Sequence, residues 1–351
     1  MRHTGSGGSG LGIGPGGLLG ALPRTAAFLV GSLSLAACEM GTVPATTLAP
    51  KSDYGRVSHD LFLSILWWDV GIFLLVSVLL LVAIVRFRER DPEALPVQVR
   101  GNAKFELAWT IAPVLVLTLI AFPTVRAVFR TQSTPPAGAL RVRVTGHQWW
   151  WEFEYLELGF RTATDLHLPV GRPVALELHS PDVIHSFWIP QLGGKRDTPP
   201  GKVNRIVLRP TVPGIYPGQC AEFCGASHAN MRINAAVETP ADFDAWVARQ
   251  KAPPPAPPDG STAAAGLQVF KTGPCVGCHS VQGVSGGIVG PDLTHVGSRQ
   301  AIAGGVLSTT PENLARWLAD PPGVKPGSIM PNFHLSPADV SALTAYLLSL
   351  K

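Results

Sequence analysis

Residues 220–231 read Cys220-Ala-Glu-Phe-Cys224-Gly-Ala-Ser-His228-Ala-Asn-Met231. Thiol, imidazole and thioether groups are packed into one short stretch. Soft sulfur ligands with imidazole suit copper, and a weak axial Met is a habit of copper electron-transfer sites. A mononuclear site of that kind uses one Cys. A pair of Cys with three residues between them can bridge two metal ions instead. A second His must then come from elsewhere, and His185, in Asp182-Val-Ile-His185-Ser-Phe-Trp188, is the candidate. A Cys220–Cys224 disulfide uses the same thiols, and a zinc site of two Cys and two His uses the same ligand types. Neither explains Met231 at its spacing or the His185 segment.

The sequence around this stretch is built for a rigid scaffold. Residues 141–145 and 172–178 alternate apolar and polar by two, as half-buried strands do. Residues 203–208 and 233–237 are further strand candidates with Pro and Gly between them. Many short strands with such turns indicate a sandwich or barrel. The ligand stretch resembles the binuclear CuA site of cytochrome c oxidase subunit II. That resemblance implies a cupredoxin-like, all-β Greek-key barrel over 139–250. It implies copper ligands His185, Cys220, Glu222 through its carbonyl, Cys224, His228 and Met231. It further implies that the Glu222 carboxylate binds Mg2+ shared with subunit I; the alternative is a capping or surface carboxylate. Gly146-His147-Gln148-Trp149-Trp150-Trp151 matches a second landmark of the family. Its first aromatic, Trp149, is implied to lie at the electron-entry surface, while Trp150 departs from the Tyr common at its position. Consecutive residues of a strand face opposite sides, so at least one of the three Trp is expected to be exposed or half-exposed. His147, His167 and His179 have no ligand spacing and read as structural or surface residues.

Composition points to a membrane. The chain of 351 residues is 46% hydrophobic and only 15% charged, and its net charge of +4 is too small to suggest nucleic-acid binding. Residues 61–85 carry one charge, Asp69, and are long enough to span a bilayer. Residues 108–128 form a second span interrupted by Pro113 and Pro123. The connection holds Arg86, Arg88, Arg90, Arg100 and Lys104, which places it in the cytoplasm. The hairpin, 55–132, then sends both ends outward. Glu106 stands at the cytoplasmic start of the second span. It reads equally as a solvated interfacial acid or, by the family resemblance, as the mouth of a proton path into subunit I.

Upstream, residues 1–20 are Gly-rich and carry no pattern. Arg24 precedes an apolar run, 26–37, which is too short to span. It ends Leu35-Ala36-Ala37-Cys38, and the whole reads as a secretory signal. The ending resembles a bacterial lipobox, which makes Cys38 the expected lipidation site and 1–38 a leader; an ordinary signal with an incidental Cys is the alternative.

Beyond a Pro-rich linker at 251–262 comes Cys275-Val-Gly-Cys278-His279, the haem c attachment motif. The thiols add to the haem vinyl groups and His279 becomes an iron ligand. Residues 264–271, 311–319 and 337–350 read as helices. The segment 263–351 resembles an all-α class I cytochrome c domain. Met330 is its one Met and the expected second axial ligand, with His295 and His334 as competitors that otherwise read as surface residues.

The expectation is a multi-domain chain with a two-helix transmembrane hairpin, a β-barrel copper domain and a tethered cytochrome. It resembles subunit II of a caa3-type cytochrome c oxidase. That implies one covalent haem c, binuclear CuA, and partners in subunit I (haem a, haem a3–CuB) and subunit III. It implies a donor such as a cytochrome c or the quinol–cytochrome c reductase complex. The location implied is the bacterial inner membrane, multi-pass, with both cofactor domains on the periplasmic or extracellular side. Oxygen is reduced in subunit I, because this chain has no intramembrane histidine set. The alternatives are the electron-entry subunit of a CuA-type nitric oxide reductase and a copper-storage lipoprotein; the haem motif speaks against the latter.

Overall fold

The structure is a computed structural model, which describes residues 45–89, 98, 100–132 and 134–351. Cys38 and Arg90 lie outside the described residues. Two long helices come first, α1 (Asp53–Arg86) and α2 (Ala103–Thr131). They pack together, yet Phe73 and Phe122 are 69% and 76% exposed and apolar side chains face outward all round. A helix that is hydrophobic on every side requires an apolar surround, which a bilayer supplies. Both helices run past the apolar stretches that mark them in the sequence. The extension of α1 is polar and docks on the next domain. Ser52 accepts from the Gly55 amide at 2.9 Å and donates to the Leu192 carbonyl at 2.5 Å. Asp53 Oδ1 accepts from the Arg209 amide at 2.7 Å. Gly193 lets the Tyr54 ring close in, since a Cβ there would meet Cδ1 at 2.5 Å. The membrane anchor and the β domain are thus joined by a packed, hydrogen-bonded seam.

The β domain contains β1 (Leu140–His147), β2 (Trp150–Tyr155), β3 (Phe160–Ala163), β4 (Asp165–Pro169) and β5 (Val174–His179). It continues with β6 (His185–Trp188), β7 (Arg196–Thr198), β8 (Asn204–Leu208), β9 (Gly214–Cys220) and β10 (Arg232–Glu238). These form two five-stranded sheets ordered β3-β2-β1-β5-β8 and β4-β10-β9-β6-β7. Parallel pairings of β1 with β5 and β4 with β10 mark the crossovers of a cupredoxin-like topology. Alternating side chains fill the space between the sheets. Val142, Val144, Trp151, Phe153, Leu166, Leu176 and Leu178 are completely buried. The strand α3 packs against is held by one aromatic cluster: α3 (Pro240–Lys251) lays Trp246 flat on His167, with ring centroids 4.1 Å apart.

The C-terminal domain is helical, with α4 (Thr262–Thr272), α5 (Cys275–Cys278), α6 (Pro311–Ala319), α7 (Pro321–Val324) and α8 (Pro337–Ser349). Ser261, Thr310 and Ser336 cap α4, α6 and α8 with side-chain oxygens on backbone amides. The crossing of α4 and α8 organises the domain, with Phe270 against Tyr346 at 5.6 Å. Gly266 sits at the contact, where a Cβ would meet the Ala342 carbonyl carbon at 2.5 Å.

Glycine inside a helix normally costs about 1 kcal/mol relative to Ala. Here the clash is with backbone, and overpacking of this kind costs about 1–3 kcal/mol. Gly266→Ala is therefore expected to destabilise the domain. Hydrogen exchange at α4 and α8 amides checks this; exchange unchanged or slowed would show that the helices separate without cost.

Candidate copper and haem sites

The β9 strand ends at Cys220, and the loop that follows returns to β10 at Met231. Its two ends are tied, because the Cys220 amide donates to the Met231 carbonyl at 2.9 Å. The Ala221 amide donates to the Ser186 carbonyl, also at 2.9 Å, which brings β6 and His185 alongside. All the donor atoms expected from the sequence converge. The two sulfurs of Cys220 and Cys224 are 3.8 Å apart. His185 Nδ1 lies 3.9 Å from Cys220 Sγ, and His228 Nδ1 lies 3.5 Å from Cys224 Sγ. Met231 Sδ is 3.9 Å from Cys224 Sγ, and the Glu222 carbonyl is 3.3 Å from Cys220 Sγ. Both thiols are free and buried. Their separation is van der Waals contact, not the ~2.05 Å of a disulfide.

The electrostatics favour one anionic sulfur, that of Cys220. The hydrogen bond shared with Cys224 lowers the Cys220 pKa against the effect of burial, with His185 and nearby amides assisting, while the same coupling raises that of Cys224. Burial alone would lower the His185 pKa, but its hydrogen bonds to Cys220 and Asp182 raise it.

Asp182 is a supporting residue that sequence reasoning did not single out. Its Oδ1 meets His185 Nε2 at 2.8 Å, which leaves Nδ1 for the cluster. Its two oxygens also accept from the Val183 amide at 2.6 Å and the Gln148 amide at 2.7 Å. The acid three residues before His185 was the available signal. The Glu222 side chain is half-buried, and Phe223 beside it is 77% exposed.

The second site is a cavity of about 1330 Å³ of empty space, its open mouth included, in the C-terminal domain. Cys275, Cys278, His279 and Met330 all line it. His279 Nδ1 donates to the Pro291 carbonyl at 2.8 Å, leaving Nε2 as the ligand nitrogen. Gly290 permits this, since a Cβ there would meet the His279 ring at 2.5 Å. Arg299 also lines the cavity, and its buried Nε has no partner among the described residues. An apolar cavity with two thiols, an imidazole, a thioether and a guanidinium whose Nε is unpartnered fits a flat macrocycle that carries carboxylates. Arg299 was not singled out from the sequence. His295, read there as a surface residue, is 4% exposed, because the chain turns inward after Asp292. His334 is exposed as expected.

Trp149 and Trp151 are buried and Trp150 is half-buried, stacked on His147 at 4.3 Å. Gln148, Trp149 and Trp150 line the second cavity, although they belong to the β domain. Gln148 Nε2 and Trp149 Nε1 donate to the Cys224 carbonyl at 2.7 and 3.0 Å. The two sites therefore share a wall. Glu106 sits apart from both, where its carboxylate accepts from the Asn102 amide at 3.1 Å and closes the start of α2.

Comparison with known families agrees with this layout. Residues 51–127 match the transmembrane domain of cytochrome c oxidase subunit II, 159–238 match its periplasmic domain, and 263–351 match cytochrome c. The cytochrome c oxidase subunit 2 of Alkalihalophilus pseudofirmus is 38% identical, over 91% of this chain and 94% of that one. That of Bacillus sp. strain PS3 is 37% identical, over 76% and 80%. A solved periplasmic domain of subunit II of cytochrome oxidase from Bradyrhizobium japonicum is 29% identical, covering 34% of this chain and 97% of its own, with a TM-score of 0.33. The subunit II match implies copper and the cytochrome c match implies haem, one for each donor set. The chain belongs to the cytochrome c oxidase subunit II family, as a membrane-held partner of subunit I in a haem–copper terminal oxidase that carries its own cytochrome c domain.

Proposed function

We propose that this chain is the electron-entry subunit of a caa3-type oxidase, receiving electrons at a covalent haem c and delivering them through binuclear CuA to subunit I. When bound, the haem and the copper pair supply reversible one-electron chemistry. The observation that carries the reading is the shared wall, where Trp149 lines the haem cavity and hydrogen-bonds to the Cys224 carbonyl at 3.0 Å.

Each residue then has a defined task. Cys220, Cys224, His185, His228, Met231 and the Glu222 carbonyl would hold the copper pair. Six converging donors exceed the four positions of a structural zinc site, and the thioether suits copper. Asp182 holds the His185 ring in its tautomer. Cys275, Cys278, His279 and Met330 would hold the haem, and Arg299, on the same cavity wall, would offer a positive charge to its carboxylates. The β sandwich keeps the ligands still when charge changes, and Trp149 is the point of electron entry from the haem side. The exposed Phe223 and the Glu222 carboxylate belong to the face toward subunit I, with Mg2+ at Glu222.

Glu106 stands at the mouth of a proton path into subunit I, where oxygen is reduced and protons are translocated. Its capping bond leaves the carboxylate on the exposed end of α2, which such a role needs. A cytochrome c or the quinol–cytochrome c reductase complex serves as donor, and subunit III completes the core. The complex lies in the inner membrane with both cofactor domains outside. Cys38 carries the lipid.

Anaerobic titration of the purified complex tests the whole reading. It is expected to give the multi-line copper resonance of an electron shared by two nuclei, a c-type haem band and a-type haem bands. A b-type haem in place of the a-type would support the nitric oxide reductase alternative. Cys224→Ser is expected to abolish the multi-line resonance and keep the c-type band. Met330→Ala is expected to keep the haem covalently attached but lower its reduction potential, because thioether ligation raises it. A potentiometric titration reads this, and an unchanged midpoint would exclude Met330 as the ligand.

A further inference from the structure

The cytochrome domain meets the copper domain through a small polar contact surrounding Trp149. Lys325, from the end of α7, is 3% exposed. Its ammonium reaches across the boundary to the Trp149 carbonyl and also donates to the Ala303 carbonyl of its own domain at 2.8 Å. Burial pushes its pKa down to about 7, a desolvation cost that a lysine left free in water would not bear. Three more hydrogen bonds cross the same boundary. The Gln300 amide donates to Asp165 Oδ2 at 2.6 Å, the Arg232 amide donates to the Gly304 carbonyl at 2.9 Å, and Ser227 Oγ donates to the Pro326 carbonyl at 2.5 Å.

Glycines make the approach possible. A Cβ on Gly304 would meet the Trp149 carbonyl oxygen at 2.6 Å. One on Gly327 would meet the Trp149 ring at 2.8 Å, and one on Gly305 would meet Arg232 Cβ at 2.8 Å. All three have positive φ, a conformation that glycine adopts at little cost. The backbone on both sides of Lys325 is thus shaped to lie directly on the copper domain. The Trp149 ring, the Trp149 carbonyl and the loop before His228 are all covered by it.

We propose that Lys325 is a positioning residue, a latch that holds the cytochrome domain on the copper domain with Trp149 forming part of the haem cavity wall. Lys325 joins carbonyls from the two domains with one side chain, so it sets their spacing directly. It lines the haem cavity but belongs to neither donor set, and it acts through Trp149. The electron-transfer meaning of the latch rests on the entry role proposed above for Trp149; the docking itself does not.

The test uses the full oxidase complex carrying Lys325→Met. Two amides report on docking, because the Gln300 and Arg232 N–H groups each donate across the boundary. Their hydrogen exchange is expected to quicken about tenfold or more, while amides inside β1 and α8 keep their rates. Photochemically initiated electron transfer from haem c to copper is expected to slow by a similar factor or more, since small misplacements of reacting groups have large effects on rate. The c-type haem band and the copper resonance should be retained. Lys325→Gln, too short to hold both carbonyls, gives the same pattern should the Met variant fail to assemble. Unchanged exchange at Gln300 and Arg232 in either variant overturns the latch. Faster exchange with an unchanged electron-transfer rate supports the latch and overturns instead the entry role of Trp149.

Discussion

The Cys224 carbonyl is where the parts of this molecule meet. It accepts from Gln148 and from Trp149, both of which come from the turn between β1 and β2. The residue that carries it supplies a thiol to the proposed copper pair. The side chains that bond to it line the haem cavity. Displacing both donors would strand a carbonyl in a poorly solvated place, at about 1–3 kcal/mol. The same change would loosen the loop from which four of the expected copper ligands come. One acceptor therefore couples the order of the ligand loop to the order of the cavity wall.

The rest of the copper domain serves to keep that loop taut. Cys220 is the last residue of β9 and Met231 directly precedes β10, so the antiparallel pairing of these strands closes the loop at its base. The adjacent pairing of β6 with β9 brings His185 to the same end of the sheet. A ligand set held by sheet hydrogen bonds changes shape little when its charge changes. The seam between α1 and the strand ends then fixes the domain over the membrane, with Asp53 and Ser52 bonded into it.

Much of this was legible in the residues. Thiol, imidazole and thioether groups at short spacing have few bland explanations, and Cys275-Val-Gly-Cys278-His279 has fewer. The spans were legible because a lipid-facing helix is apolar on every side. Four strands and three helices of the soluble domains followed from their periodicity. What escaped was whatever depends on backbone or on a distant segment. The Pro291 carbonyl that orients His279 has no side-chain signature. Asp182 stood in the quoted motif, but an acid near a His has many ordinary meanings. Arg299 and His295 are polar residues buried by a turn that periodicity does not reveal. Helix α3 was missed, because its apolar residues pack as one aromatic cluster and make only a short stripe. The burial of Trp149 could not be read at all, since the chain that covers it lies more than a hundred residues away.

The contact between the domains is slight, and the linker explains why that suffices. A short tether holds a donor near its acceptor at an effective concentration in the millimolar range. An interface with a dissociation constant of about 1 mM, worth about 4 kcal/mol, would then be formed roughly half of the time. Hydrogen bonds to a charged donor contribute about 1.5–3 kcal/mol net, and each 1.4 kcal/mol is about tenfold in population. Burial of Lys325 offsets part of this gain, and the three other bonds across the boundary add to it. A tighter interface would gain little further occupancy. Covalent attachment and the proposed Lys325 latch together hold in one arrangement two domains that need not bind each other strongly.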